Sequence, residues 1–255
     1  MSTMSTRPSR GGGTVSHGSE RHERRETYGA YGSGHRVPAP DRTGQAEAFD
    51  AIGSRYDDAF PHKEGQLAAV DALLADLAPG SRVLEVGSGT GVPTSRQLVD
   101  AGHTVVGVDL SAGMLELARK NVPGAEFRQA DLASLRPEVG EEPGELGQFD
   151  AVTCFFTLLM LPRTEIPTAL RLLRSMLRPG GRLALSMVEA DLDDAEIPFL
   201  GHTIRVSGFL RDELRQVVRD AGLEITGEHT YAYAPASTEV PPEHQLFFNC
   251  RRAGK

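Results

Sequence analysis

A short apolar segment, Val83–Val86, holds one acid, Glu85, and runs directly into three glycines at alternate positions, Gly87, Gly89 and Gly91. Glycine allows a tight turn and leaves the main chain open to a ligand. An apolar strand, a glycine turn and a following helix are the usual arrangement for holding a nucleotide-like ligand. A glycine-rich surface turn would have the same composition, so the neighbouring residues must decide between the two.

A second acid, Asp109, stands at the end of the next apolar segment, 104–109. A carboxylate at the carboxyl end of the neighbouring strand can accept hydrogen bonds from both hydroxyls of a ribose. The alternative is that Asp109 caps the helix that follows, because Asp109-Leu110-Ser111 stands directly before it. In combination with the glycine spacing, Asp109 favours a site for a nucleoside.

A sheet of parallel strands would bring these residues together. Strands and helices alternate along the middle of the chain, which is typical of βαβ units with right-handed crossovers. We predict further strands at 104–109, 126–130, 149–156 and 182–187, and helices at 93–101, 112–121 and 166–177. The first of these helices should aim its free N–H groups at the ligand.

The end of the chain departs from this alternation. A helix at 210–221 is followed by two extended segments, 223–233 and 244–251, with no helix between them. Two consecutive strands of this kind predict an antiparallel pair at the sheet edge. The predicted fold class is therefore α/β: a Rossmann-like, doubly wound, seven-stranded sheet, mostly parallel, with an antiparallel C-terminal strand pair.

Two helices are predicted before the glycine strand, where they could act as a lid over a cleft. The first covers 49–60, is interrupted by Gly53 and ends at Pro61; the second covers 65–77. Residues 1–44 are rich in Gly, Ser, Arg and His and lack large aliphatic side chains, so we predict a disordered tail. Residues 45–255 are predicted to form one domain.

The composition limits the kinds of partner. The formal net charge is −8, and the first 44 residues carry seven Arg against four acids, so the rest of the chain is strongly acidic. Phosphate binding needs a basic face, which argues against nucleic acid as a partner. No apolar run is long enough to span a membrane. Two distant cysteines, Cys154 and Cys250, and no visible metal-ligand cluster fit a reducing cytoplasm without a bound metal.

The segment from Glu85 to Gly91 has the spacing G-x-G-x-G with an acid two residues before the first glycine, and it resembles motif I of the class I S-adenosylmethionine-dependent methyltransferases. The dinucleotide fingerprint, G-x-G-x-x-G, has a longer spacing. Four later segments also resemble motifs of this family: 106–115, 129–132, 149–152 and 177–183. The resemblance covers roughly residues 49–251 and implies S-adenosyl-L-methionine as the cofactor.

The resemblance also implies roles for individual residues. The methionine part of the cofactor would lie against Gly87, Ser88 and Gly89, with Glu85 near its amino group, and Asp109 would accept from the ribose. The remaining cofactor-binding residues would be Leu110 and Met114 beside the adenine, Asp131 and Leu132 at the adenine edge, Phe155 near the methyl group, and Tyr56 of the lid. Lys63 is a weaker candidate than Tyr56, and Phe60 is expected to be core.

Alignment of an acceptor behind an activated methyl group can supply most of the catalysis, and a base is needed only if the acceptor carries a proton. His202, in the stretch 197–208 that we expect to form a substrate wall, is the first candidate for that base. The alternative is a solvated loop histidine. Glu189 directly follows the fifth strand and could contact the substrate. The acidic run at 191–196 could favour a cationic acceptor, although such runs are usually only solvated.

These residues predict an enzyme that methylates a small organic molecule at O, N or C. The family resemblance also points to bacterial specialised metabolism. The segment Cys154-Phe155-Phe156-Thr157 differs from the Asn-Pro-Pro-aromatic motif of nucleobase and amide methyltransferases, which argues against such acceptors. The alternatives are a scaffold that binds the cofactor without methylating, an NAD-dependent oxidoreductase, and a binding module that uses the basic tail. A monomer or a homodimer would both fit.

Overall fold

The computed structural model describes residues 43–234 and 242–254. The predicted tail therefore lies outside the described residues, except for its last two positions, which begin the first helix. No helix among the described residues is long and apolar enough to cross a membrane.

Seven strands form the main sheet in the order β3-β2-β1-β4-β5-β9-β8. Their bounds are β1 Arg82–Val86, β2 Thr104–Asp109, β3 Glu126–Gln129, β4 Phe149–Phe155, β5 Leu177–Val188, β8 Leu223–Tyr233 and β9 Glu243–Arg252. Strands β1 to β5 pair in parallel, and β9 runs antiparallel to both β5 and β8. The predicted fold class, including the antiparallel C-terminal pair, is confirmed.

Seven α-helices accompany the strands in the described part of the chain. They are α1 Thr43–Ile52, α2 Arg55–Ala59, α3 Glu64–Leu74, α4 Thr94–Asp100, α5 Ala112–Asn121, α6 Ile166–Met176 and α7 Arg211–Asp220. The predicted break at Gly53 separates α1 from α2, and this glycine has a positive φ of 54°. The first predicted lid helix, 49–60, is therefore divided into two short helices, α1 and α2.

Both faces of the sheet are covered, as a doubly wound fold requires. Alternate strand residues point to opposite faces. Leu84 and Val106 join a buried cluster with side chains of α6 and α7, whereas Val83 and Val105 join another with side chains of α3 and α4. The continuous apolar character of β1 and β2 follows from this burial on both sides.

A separate hairpin occupies the stretch that we expected to form a substrate wall. Strands β6 (Leu192–Phe199) and β7 (His202–Gly208) pair antiparallel. The two residues between them, Leu200 and Gly201, have positive φ values of 50° and 82°, as a two-residue hairpin loop requires. The sequence pattern did not predict these strands because polar residues interrupt β6.

Candidate functional site

A cavity of about 700 Å³ lies at the carboxyl ends of β1, β2 and β4, under α1, α2 and the β6–β7 hairpin. Chain order along the sheet reverses between β1 and β4, and open α/β sheets bind ligands at such a switch point. All eleven residues predicted to bind the cofactor line this cavity: Tyr56, Glu85, Gly87, Ser88, Gly89, Asp109, Leu110, Met114, Asp131, Leu132 and Phe155. The fold thus brings together residues from six separate parts of the sequence.

The turn after β1 can be built only with glycine. Gly87 has a φ of 72°, and a Cβ atom on it would stand 1.9 Å from Thr157 Oγ1. The backbone N–H groups of Gly87 and Ser88 both donate to the carbonyl of Val108, at 2.8 and 3.0 Å. The buried Ser88 hydroxyl, by contrast, has no hydrogen-bond partner among the described residues. Because a buried polar atom is normally paired, this hydroxyl is suited to meet a polar ligand atom.

Glu85 is a buried carboxyl group, only 4% exposed, at the end of β1. Ser95 Oγ in α4 donates to it. Burial raises the pKa of Glu85 to about 8, and the hydrogen bond from Ser95 opposes that shift only in part. No described residue of α4 itself lines the cavity. The first turn of the helix donates to Glu85 through the hydroxyl and the backbone N–H of Ser95. The expectation that this helix points its N–H groups at the ligand stays a prediction.

Asp109 joins the glycine turn to the next loop. Its two carboxylate oxygens accept from the backbone N–H groups of Gly89 and Ser111, both at 2.9 Å. The cap of α5 is Ser111, whose Oγ accepts from Met114 N at 3.0 Å, so Asp109 is not the N-cap residue. Burial raises the pKa of Asp109, against the effect of these N–H donors.

Two of the residues predicted to bind the cofactor are apolar and almost completely buried. Met114, predicted to lie beside the adenine, and Phe155, predicted to lie near the methyl group, are 2% and 7% exposed, so each offers only a small edge to the cavity. Asp131 Oδ1 accepts from Ala133 N at 2.8 Å and begins a short 3₁₀ turn. Gln129 Nε2 donates to the Leu110 carbonyl at 2.9 Å and holds that loop against the end of β3.

Two acids fasten the lid to the loops beneath it. Thr90 Oγ1 donates to Asp57 at 2.7 Å, and Asp57 also forms an ion pair with Lys63. Asp50 in α1 accepts from Ser111 Oγ at 2.5 Å and from the Gly113 N–H at 2.9 Å. The lid is therefore closed over the cavity by side chains that touch the glycine turn and the start of α5.

Five rings form what we call the aromatic cluster: Phe49, Tyr56, Phe60, Phe199 and Tyr233. Phe60 stacks on Phe199 and on Tyr233, with both centroid distances 5.7 Å. Burial, together with the carboxylates of Asp57 and Glu243, raises the pKa of Tyr56. Phe60, expected to be core, packs on the core and also lines the cavity. The cluster joins the lid to the hairpin and to the end of β8.

Comparison with known proteins agrees with this architecture. The family model described as "Methyltransferase domain" matches residues 83–181. The ubiquinone biosynthesis O-methyltransferase of Xanthomonas axonopodis pv. citri is 30% identical over 174 residues, which cover 61% of this chain and 68% of that protein. The chain belongs to the class I S-adenosylmethionine-dependent methyltransferases. The predicted family and enzyme class are thereby confirmed, and the cofactor of this family is S-adenosylmethionine, as predicted.

Other methyltransferases match over different lengths. The demethylmenaquinone methyltransferase of Renibacterium salmoninarum is 36% identical over 108 residues, which span 42% of this chain and only 41% of that protein. The crystal structure of the 1,6-didemethyltoxoflavin N1-methyltransferase of Burkholderia thailandensis superposes with a TM-score of 0.64 at 21% identity, covering 87% of this chain and 94% of that one. The latter likeness concerns the fold alone.

The groups that line the cavity fit the cofactor of this methyltransferase family. S-adenosylmethionine carries an ammonium group, a ribose diol and an adenine amine, which are all donors. Glu85, Asp109 and Asp131 supply acceptors, and the unpaired Ser88 hydroxyl supplies a further polar contact. Lys63, the weaker candidate, lines the same cavity and donates to the Val92 carbonyl at 3.1 Å. The roles of the individual residues stay predictions.

His202, the candidate base, and Glu189, the candidate substrate contact, have different surroundings in the structure. His202 is not among the residues that line the cavity; its Nε2 lies 3.5 Å from Arg55 Nη2. Its role as a base stays a prediction. Glu189 does line the cavity, but its Oε2 accepts from Arg211 Nη2 at 2.9 Å. Burial alone would raise the pKa of Glu189, and the hydrogen bonds from Arg211 outweigh it and lower that pKa.

The predicted acidic run is largely paired within the hairpin. Asp194 and Glu196 contact Arg205 at 2.8 and 2.7 Å, and Asp191 contacts Arg163 at 2.8 Å. None of these three acids lines the cavity. The run therefore stabilises the hairpin locally rather than presenting charge to a ligand.

Glu243 is a cavity residue that the sequence did not single out. It is the first residue of β9, its carboxylate accepts from Gln245 Nε2 at 2.8 Å, and burial raises its pKa. The predicted topology could have indicated that Glu243 lies at the site. An antiparallel last strand must start at the edge where the parallel strands end, so its first residues reach the same site.

Proposed function

We propose that this protein transfers a methyl group from S-adenosylmethionine to a small organic acceptor at O, N or C. The observation that carries the proposal is the convergence of all eleven predicted cofactor residues on one cavity, which then continues past them between the lid and the hairpin. The bound cofactor would supply the methyl group as an electrophile already activated by the sulfonium. The chain would supply orientation, a dry site and, where the acceptor needs one, a base.

The second part of the cavity is suited to an acceptor of limited size. Phe49, Phe60 and Phe199 form one wall, and Ile204 and Val206 of the hairpin form another. A cavity of about 700 Å³ shared with the cofactor leaves room for a small molecule and excludes a folded macromolecule. The net charge of −8 supports the same choice, because a nucleic acid would meet an acidic protein.

The test begins with binding and continues with turnover. The full chain is titrated calorimetrically with S-adenosylmethionine, S-adenosylhomocysteine and NADH. We expect the two sulfur compounds to bind and NADH not to; binding of NADH alone would overturn the proposal. A panel of hydroxylated, amino and C–H-acidic metabolites is then screened for release of S-adenosylhomocysteine together with a product heavier by one methylene unit.

The same assay separates methylation from a scaffold that only binds the cofactor. A scaffold would bind S-adenosylmethionine, convert an added metabolite without a change in methyl content, and release no S-adenosylhomocysteine. Removal of residues 1–42 should leave both binding and turnover intact if the domain is the active unit. A place in specialised metabolism, a cytoplasmic location, and a monomeric or homodimeric state stay predictions.

A further inference from the structure

Glu243, on the acceptor side of the cavity, is a carboxyl group without a predicted role in cofactor binding. Five acids line the cavity: Glu85, Asp109, Asp131, Glu189 and Glu243. The first three are predicted to bind the cofactor, and Glu189 forms an ion pair with Arg211 at 2.9 Å. Glu243 is left, and its described partner is an amide, Gln245 Nε2.

Among the described residues, the cavity lining contains no Lys or Arg side chain that is free of another partner. Lys63 is the one Lys or Arg among the described residues that line the cavity, and it forms an ion pair with Asp57 while donating to the Val92 carbonyl. Two histidines, His62 and His244, also line the cavity, and both are exposed. A carboxylate-bearing acceptor would thus enter a site with acids and without a free Lys or Arg in its described lining.

Glu243 also lies at one end of the aromatic cluster. It pairs with Tyr233 across β8 and β9, and the Tyr233 ring stacks on Phe60. Phe60 in turn stacks on Phe199 of the hairpin. Aromatic faces beside a carboxylate are the surroundings that attract a cationic or N–H-bearing group attached to an apolar body.

We propose, on the basis of the methyl-transfer function above, that Glu243 contacts the acceptor. It selects molecules that present an amine on an apolar, ring-containing body. The site discriminates against the matching carboxylic acids. The amine is the group that is recognised, and the proposal does not depend on which atom receives the methyl group. Phe60 and Phe199 would hold the ring, and Glu243 would accept from the amine N–H.

The test uses the full chain saturated with S-adenosylhomocysteine. Matched pairs of small ligands, arylalkylamines and the corresponding arylalkyl carboxylates, are titrated by calorimetry and by ligand-observed NMR. We expect the amines to bind at least about tenfold more tightly than their carboxylate partners, because a charge-assisted hydrogen bond is lost or reversed. Equal or tighter binding of the carboxylates, or no binding of any amine, would overturn the proposal.

Variants then assign the preference to Glu243. Glu243→Gln keeps the shape of the side chain and should lower amine affinity about tenfold, whereas Glu243→Lys should reverse the preference. Glu116→Gln, at an exposed position of α5, is the matched control and should change neither. If amines bind and Glu243→Gln leaves their affinity unchanged, the assignment is wrong.

Two further readouts keep the outcomes distinct. Affinity for S-adenosylhomocysteine and the melting temperature should be the same for wild type and Glu243→Gln, which shows that the variant is folded and holds the cofactor. If S-adenosylhomocysteine fails to bind the wild-type chain, the proposed function fails rather than the role of Glu243. The ligand preference of the wild-type protein tests the inference even if a variant does not fold.

Discussion

Thr90 Oγ1 in the glycine turn donates a hydrogen bond of 2.7 Å to Asp57 in the second lid helix. Thr90 is adjacent to Gly89, whose N–H is held by Asp109, so the lid touches the turn one residue away from the predicted cofactor contact. A second link, from Ser111 to Asp50, ties α1 to the start of α5 in the same way. Closure of the lid and the shape of the cofactor site are therefore coupled through side-chain hydrogen bonds.

Breaking the Asp57 link should loosen the lid. Asp57→Asn weakens both the bond from Thr90 and the ion pair with Lys63, so we expect affinity for S-adenosylhomocysteine to fall about three- to tenfold, mainly through faster dissociation. Stopped-flow fluorescence and calorimetry measure the two quantities. Asp58→Asn, the exposed neighbour in the same helix, is the control and should bind normally. A dissociation rate equal to that of wild type would mean that the link does not contribute to retention of the cofactor.

Removal of the Asp109 carboxylate should weaken the site more strongly. Asp109→Ala removes the predicted acceptor for the ribose and also frees the N–H groups of Gly89 and Ser111. We expect a loss of about 1–3 kcal/mol in cofactor binding, which corresponds to a rise in Kd of about fivefold to 150-fold, measured by calorimetry. Asp100→Ala, at the exposed end of α4, should bind as wild type does. An unchanged Kd for Asp109→Ala would leave Asp109 with a structural role only.

The residues on the predicted cofactor side of the cavity could be found from the sequence because they lie at or near strand ends. Asp109 closes the buried apolar run of β2, and Glu85 is the one acid within the buried run of β1, which ends at the glycine turn. Gly87 could be recognised as a turn residue, although the physical cause is the side chain of Thr157, which is distant in sequence. Parallel pairing of β1, β2 and β4 then brings the separate strand ends to one edge.

The acceptor side could not be predicted in the same way. Strand β6 contains several acids and is bulged between Leu192 and Ala195, so no alternating pattern marks it. Its stability comes from tertiary contacts, such as the packing of Phe199 on Phe60, which no local pattern records. Glu243 depends on the register of β9 with β8, which is likewise a long-range property. Residues that reach the acceptor side through tertiary packing or strand register can therefore be identified only from the structure.

The buried carboxyl of Glu85 should make stability depend on pH. Burial raises the pKa of Glu85 to about 8 from the usual value of 4.5, so the folded protein binds one more proton than the unfolded chain between these values. Stability of the cofactor-free protein therefore falls as the pH rises from about 4.5 to about 8. Glu85→Gln should flatten this part of the profile in urea unfolding at pH 5 and pH 8. Glu116→Gln should keep the wild-type profile; an identical profile for Glu85→Gln would contradict the assignment.

Cofactor binding should be linked to the same proton. If the cofactor ammonium lies beside Glu85, it favours the carboxylate, so binding at pH 7 releases a proton. We expect affinity to rise between pH 6 and pH 8, by at most about tenfold per pH unit. Calorimetry at pH 7 in two buffers with different ionisation enthalpies measures the released proton directly. Proton uptake, or no exchange at all, would separate Glu85 from the ammonium group.

Truncation of Phe199 should affect the acceptor more than the cofactor. Phe199 is 7% exposed, packs on Phe49, Tyr56 and Phe60, and is the main aromatic link between hairpin and lid. Phe199→Ala should cost about 3 kcal/mol of stability, at the low end for a buried Phe because one side faces the cavity. We expect the KM for the acceptor to rise about tenfold or more while the Kd for S-adenosylhomocysteine changes less than about threefold.

Leu98→Ala, fully buried and away from the cavity, provides a control of similar destabilisation that should leave the acceptor KM unchanged. A parallel rise in both constants for Phe199→Ala would mean that the hairpin acts through the lid on the whole site rather than as a wall for the acceptor.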